Sequence, residues 1–264
     1  MTDRLRVAVA QTVARGMSAR GAAEDAAGFV ARAVDADARL VVFPELAVTG
    51  WDVARWNAEG AVGLEDDVWE PLVAAASAGV TILTSAAIRR PEGVTLSAVV
   101  VAPRGSVTAP YDKQHLSGIE RDHFVPGDHG ASLQVDGWQV GLGICYDSSF
   151  PSHARAAAQA GADVYACPSA FYRGSEHRRD LVYPARALDN ALYVVFAGAA
   201  GSDGHRGFSG GSAVYDPEGR PLVRAGSEDD LVLATLNRAE LERARTGHEA
   251  DPVLMADRRS EVLA

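Results

Sequence analysis

Lysine is almost missing from this 264-residue chain. Lys113 is the only one, and the other 24 basic residues are arginine. On an exposed surface the two cations replace one another at little cost. A buried site that needs a compact, rotatable ammonium cannot use a planar guanidinium. The lone lysine in "TAPYDKQHLSG" is therefore a candidate for such a site, with chance survival under a codon bias toward arginine as the competing reading.

Cysteine is nearly as scarce. Cys145 and Cys167 make no disulfide framework, and there is no Cys-x-x-Cys pair, so a reducing cytoplasm is the expected compartment. No apolar run approaches the roughly 20 residues that span a bilayer. The apolar part of "MTDRLRVAVAQ" is too short for a signal peptide and carries no cleavage site. Acidic residues outnumber basic ones, 35 to 25, for a net charge of −10. That balance argues against nucleic-acid or anionic-membrane partners and suits a metabolic enzyme. No Gly-Lys pair exists, so "GAAGSDGHRGFSGG" is not a Walker-type phosphate loop. It reads as a flexible segment before a strand, at a pocket mouth. Linkers, charge blocks and solenoid repeats are also lacking. One domain over 1–264 is expected, with 246–264 as a C-terminal tail or dimer arm.

What the chain does have is an alternation of short apolar runs with alanine-rich helical stretches. "LRVAVA", "LVVFP", "VTILTSAAI", "TLSAVVVAP", "VTAPY", "ADVYACP", "LYVVFAG" and "DLVLATL" read as strands. "ASLQVDGWQVGLGICY" reads as a hairpin, because Asp-Gly between two alternating runs favours a type I′ turn. "FSGGSAVYDPEGRPLVRAG" reads as a second hairpin. Helices are expected near Gly21–Ala36 and in "VWEPLVAAASAG", "SHARAAAQAG" and "EHRRDLVYPARALDNA". Strands far outnumber crossover helices. The pattern predicts a mixed sheet, or two sheets packed face to face with helices outside, rather than a plain doubly wound sheet.

Three reactive residues fall at strand ends: Glu45 after "LVVFP", Lys113 after "VTAPYD" and Cys145 after "WQVGLGI". Functional groups of α/β sheets gather at such ends. As a set they are chemically coherent. A cysteine needs a base or a nearby positive charge to act as a nucleophile. A carboxylate can take its proton and return it to a leaving amine. An ammonium, with the backbone N–H after the nucleophile, can hold a tetrahedral oxyanion. Each residue also has a plain structural reading: a small buried cysteine, a helix-start glutamate and a chance lysine. All three would have to hold at once.

"FPELAVTGW", "YDKQHL…IERDHFVPGD", "GLGICYDSSFP", "RALDNALYVVFAG" and "FSGGSAVYDPEG" together resemble the nitrilase superfamily of carbon–nitrogen hydrolases. The motifs occur in family order from Val7 to about Leu236. The resemblance implies an α/β fold, a four-layer αββα sandwich with two mixed β-sheets face to face, assembled as a homodimer or higher homo-oligomer. It implies that Glu45 is the general base, Lys113 the oxyanion lysine, Cys145 the nucleophile and Glu120 a second glutamate that holds and polarises the lysine. No cofactor and no metal are implied.

Nitrilases of the superfamily read Cys-Trp-Glu; this chain reads Cys145-Tyr146-Asp147, similar to the amidase branches. The expected activity is release of ammonia from a small primary amide, with a ureidopropionase-like hydrolysis of carbamoyl compounds next and nitriles after that. A catalytically silent binding protein of the same fold is the non-enzyme alternative, disfavoured because all four positions are filled. Ser149 and Ser152 stand where ω-amidase-like members carry arginine and glutamate, which leaves a specific ω-amide assignment open. Trp51, Tyr146 and Phe171 are candidate aromatic walls, and Arg173 a candidate grip for a substrate carboxylate. Cys167 reads as a core residue. The spacing of His123 and His129 matches no standard zinc pattern.

Overall fold

The protein is described by a computed structural model covering residues 2–14 and 17–249. The first half of the chain contributes β1 (Arg4–Gln11), β2 (Val13–Ala14), α1 (Ala19–Asp35), β3 (Leu40–Val42), α2 (Glu70–Ala76), β4 (Thr81–Arg90), β5 (Gly93–Val101) and β6 (Val107–Asp112). The second half adds β7 (Ser132–Val135), β8 (Trp138–Leu142), α3 (Pro151–Gln159), β9 (Val164–Ser169), α4 (Glu176–Asn190), β10 (Tyr193–Gly198), β11 (Ala200–Gly201), β12 (Ala213–Tyr215), β13 (Pro221–Arg224), β14 (Asp230–Asn237) and α5 (Arg238–Glu249).

Two six-stranded sheets result, ordered β14-β1-β3-β4-β5-β6 and β13-β12-β10-β9-β8-β7. Each has a parallel centre, β1-β3-β4 in one and β8-β9-β10 in the other, extended by antiparallel strands. The period-2 alternation of side chains explains the layering. Leu5, Val7 and Val9 of β1 and Val164 and Ala166 of β9 enter one cluster shared by both sheets. Ala8 and Ala10 turn the other way, toward Ala26, Phe29 and Val30 of α1. Tyr165 and Cys167 turn toward Tyr183 and Ala187 of α4. Both faces of each central strand are covered, which is why these strands read as nearly unbroken apolar runs. The result is the αββα sandwich, helix layer outside each sheet.

The Asp136-Gly137 turn joins β7 and β8 with both residues at positive φ, 50° and 85°, as the Asp-Gly signal predicts. The strand "DLVLATL" does not extend its neighbouring hairpin. β14 crosses to the other sheet and pairs antiparallel with β1. The first helix starts two residues earlier than expected, because the Ser18 side chain caps it by accepting from Gly21 N–H. Residues 246–249 complete α5, and the remainder of the expected tail or dimer arm, 250–264, lies outside the described residues. Among the described residues no helix is long and apolar enough to cross a membrane.

Candidate active site

The C-terminal ends of β3, β6 and β8 bring the three reactive side chains together. Glu45 follows β3 after Phe43-Pro44 and is 1% exposed. Its carbonyl accepts the indole N–H of Trp51 at 3.1 Å. Lys113 follows β6; its N–H extends the ladder to Leu96 O at 2.8 Å, and its carbonyl accepts from Gly127 N–H at 2.9 Å. Gly127 must be glycine there, because a Cβ would lie 2.1 Å from Asp112 O. Glu120 sits on a 3-10 turn over Gly118–Asp122, where its Oε2 accepts from Ser117 N–H at 2.8 Å.

Lys113 Nζ donates to Glu45 Oε1 at 2.6 Å and to both oxygens of Glu120 at 2.8 Å. Its side chain is fully buried. An ammonium has three donors, and two anions absorb them here. An arginine has no geometry for this cage. Burial alone would push the Lys113 ammonium down, but Glu45, Cys145 and Glu120 outweigh it and hold the pKa above the ordinary lysine value. Lys113 therefore stays charged.

One cation between two carboxylates leaves a surplus of one negative charge, and Glu45 bears it. Burial pushes its carboxyl up to about 7, with Lys113 pulling down and Glu120 pushing up. That value suits a group that must accept and return a proton near neutrality. Among the described residues, the buried Glu45 Oε2 has no hydrogen-bond partner. The Cys145 thiol is near enough to pull the Glu45 pKa down; its Sγ nevertheless points to Ala170 O, at 3.5 Å. An unoccupied acceptor beside a thiol is the arrangement a proton transfer requires.

Cys145 is held at φ 44°, a left-handed conformation that strains a non-glycine residue. The residue keeps part of its surface open, yet its sulfur is enclosed enough that burial, followed by Glu45, pushes the thiol pKa well above the usual range. At rest Cys145 is a thiol, and it would need a base to act as a nucleophile.

The family profile described as carbon–nitrogen hydrolase matches residues 6–246. The chain is 30% identical over 264 residues to a hydrolase from the pqqF 5′ region of Pseudomonas protegens, covering 98% of this chain and 90% of that one. It is 34% identical over 218 residues to an (R)-stereoselective amidase of a Pseudomonas species, covering 81% and 78%. The amidase from Nesterenkonia sp. AN1, solved as a double mutant in complex with acrylamide, superposes with a TM-score of 0.82 at 29% identity, covering 95% of this chain and 97% of that one. Another structure of that amidase shows Michael addition of acrylamide at its active-site cysteine. The chain belongs to the carbon–nitrogen hydrolases of the nitrilase superfamily.

The remaining candidates of this hydrolase are placed differently from one another. Trp51 joins an apolar cluster of Ala170, Ala199, Phe208 and Tyr172, with its ring 5.3 Å from that of Phe208. The same cluster reaches Cys145 through Ala170 O and Glu45 through the Trp51 indole. A cavity of about 430 Å³ is lined by Thr12, Glu45, Trp51, Ala199 and Asp203 among others; Cys145 and Lys113 are not among its lining residues. Tyr146 packs edge-on against Phe150. Phe171 packs against Tyr183 and Phe196 in the cluster under α4. Arg173 is exposed, with Nε donating to Phe208 O at 3.4 Å.

Sequence reasoning placed Tyr172 beside Phe171 and Arg173 but missed Phe208, which stacks on Tyr172 at 5.2 Å, and the hairpin that fixes them. The Gly-rich segment folds back through a bridge between Ser202 and Gly207; Asp203 accepts from the Tyr172 hydroxyl and Arg206 lies 3.8 Å over its ring. Asp203 and Gly204 line the cavity, as a segment at a pocket mouth would. His123 turns to Trp56 O and His129 to Asp128.

Proposed function

We propose that this carbon–nitrogen hydrolase is an amidase that releases ammonia from a small primary amide through a thioester on Cys145. The observation that carries the reading is the fully buried Lys113 held between Glu45 and Glu120 beside the Cys145 thiol.

Glu45 accepts the thiol proton as Cys145 Sγ attacks the amide carbon. The C=O π pair moves to oxygen; protonation of Glu45 frees the Lys113 donor that Oε1 had held, and the oxyanion takes hydrogen bonds from it and from the backbone N–H that follows the nucleophile. Glu45 then delivers its proton to the nitrogen as the C–N bond breaks, and ammonia leaves. Water attacks the thioester, again giving its proton to Glu45. The C–S bond breaks, the acid departs, and the proton returns to sulfur. Glu120 keeps Lys113 charged and aimed throughout. The relatives named as amidases and the Cys-Tyr-Asp sequence support amides over nitriles.

Ammonia release from a panel of small amides, carbamoyl compounds and nitriles tests this. Ammonia from amides, without carbon dioxide, is the expected result. Ammonia with carbon dioxide from carbamoyl compounds alone, or turnover of nitriles alone, overturns the amide assignment.

A further inference from the structure

Asp147 has no part in the mechanism just given, yet its buried side chain collects four hydrogen bonds. Oδ1 accepts from His115 N–H and from His115 Nδ1, both at 2.9 Å. Oδ2 accepts from Ile144 N–H at 3.0 Å and from the Tyr111 hydroxyl at 2.6 Å. The positions of these donors matter. Tyr111 and His115 flank Lys113 by two residues on either side, and Ile144 immediately precedes Cys145. One carboxylate thus ties the segment bearing the ammonium to the turn bearing the nucleophile.

A second row of side chains holds that carboxylate in place. Tyr111 spends its proton on Asp147, so its oxygen must accept from His153 Nε2–H, 2.8 Å away. The other ring nitrogen of His153 then accepts from the Tyr165 hydroxyl at 2.9 Å. Burial keeps the His153 pKa low, as a neutral ring with one donor and one acceptor requires. The chain ends under the nucleophile turn. A Cβ on Gly143 would lie 2.0 Å from the Tyr165 hydroxyl, so only glycine fits two residues before Cys145. All four side chains are at least nine-tenths buried.

The turn needs such support. Cys145 sits at φ 44°, a strained conformation that persists only where the surroundings over-determine it. We propose that Asp147 is a positioning residue that sets the spacing between the Lys113 ammonium and the Cys145 turn, with Tyr111, His153 and Tyr165 fixing Asp147 in turn. The amidase reading enters this proposal only through the substrate used for one of its two assays.

Asp147→Asn keeps the shape but places an NH2 group against two donors; Tyr111→Phe removes one of the four donors to Asp147 and the acceptor of His153 Nε2–H. In ammonia-release kinetics, Asp147→Asn is expected to lower kcat about 100-fold, the cost of misplacing reacting groups by about 1 Å, with KM within about threefold. Tyr111→Phe is expected to lower kcat about tenfold. The second assay needs no substrate: the pH dependence of Cys145 alkylation by iodoacetamide. Moving Lys113 away from the thiol and from Glu45 removes a charge that lowers both pKa values, so the midpoint is expected to move to higher pH in both variants. A lower melting temperature with unchanged kcat and an unchanged alkylation midpoint overturns the proposal. If Asp147→Asn does not fold, Tyr111→Phe decides alone. A wild type silent toward every amide refutes the amidase reading, while the alkylation midpoints still decide the role of Asp147.

Discussion

Lys113 Nζ stands 2.6 Å from Glu45 Oε1 and 2.8 Å from both carboxylate oxygens of Glu120, with no part of its side chain exposed to solvent. A chain that uses arginine in every other basic position keeps lysine at the one place where a guanidinium would not fit. Lys113→Arg should therefore abolish activity rather than reduce it mildly. Loss of an oxyanion donor alone costs about 10²–10³ in kcat, and forcing a larger cation between two buried carboxylates adds a stability cost. Ammonia-release kinetics with a thermal melt checks this; a variant within tenfold of wild type would contradict the cage.

The pH dependence follows from Glu45. Its pKa is raised to about 7, chiefly by burial, and only the ionised form accepts the thiol proton. The kcat/KM value should rise with pH through an acid limb near 7. The same shift has a stability consequence of opposite sign. A carboxyl raised in the folded state favours folding fully below its unfolded pKa near 4.5, and that contribution is lost as pH rises through about 7. A pH–rate profile on the best amide, set beside denaturant melts at pH 5 and pH 8, tests both directions.

Glu120 gives a sharper test, because it acts on Glu45 through charge. Glu120 is one of the groups that raise the Glu45 pKa. Glu120→Gln removes that repulsion, so the acid limb should move to lower pH. The Lys113 ammonium also loses a charged acceptor at 2.8 Å, and kcat should fall at least about tenfold, consistent with roughly 1.5–3 kcal/mol for a charge-assisted bond. A limb that stays near 7 would show that Glu120 does not set the charge balance.

Arg173 separates two substrate classes. Its guanidinium is exposed and directed at Phe208 O, and an exposed charge contributes little to holding a partner. Arg173→Ala should change KM for an acidic amide by less than about threefold. A tenfold rise would place the guanidinium on the substrate carboxylate.

The strands and helices were legible because their signals are local and repeated: apolar runs of strand length, Asp136-Gly137 between two of them, and α3 giving way to Gly161 at φ 89°; the αββα sandwich itself was what the family resemblance implied. The chemistry was legible because Glu45, Lys113 and Cys145 each end a strand, so topology alone gathers them. What escaped depends on side-chain direction across elements distant in sequence. Phe171 reads as a pocket wall, but its ring turns under α4 toward Tyr183. Tyr172, its neighbour, faces Trp51 instead. Asp147 reads as one letter of a motif; its meeting with Tyr111 and His115, and through Tyr111 with His153, requires three separate segments to converge. The crossing of β14 to β1 was equally hidden, since nothing in "DLVLATL" names its partner strand.

If Cys145 is the nucleophile of an amide-hydrolysing site, its modification and the loss of activity must run together in a titration. Wild-type protein is treated with increasing iodoacetamide, and residual ammonia release from an amide is plotted against carboxamidomethyl groups on each cysteine-bearing peptide. The expected result is a straight line reaching zero activity at one group per chain on Cys145. Cys167, buried and with its thiol pushed up to about 12 chiefly by burial, should remain unmodified. Activity that survives full modification of Cys145, or that disappears while Cys145 is still free, would contradict it.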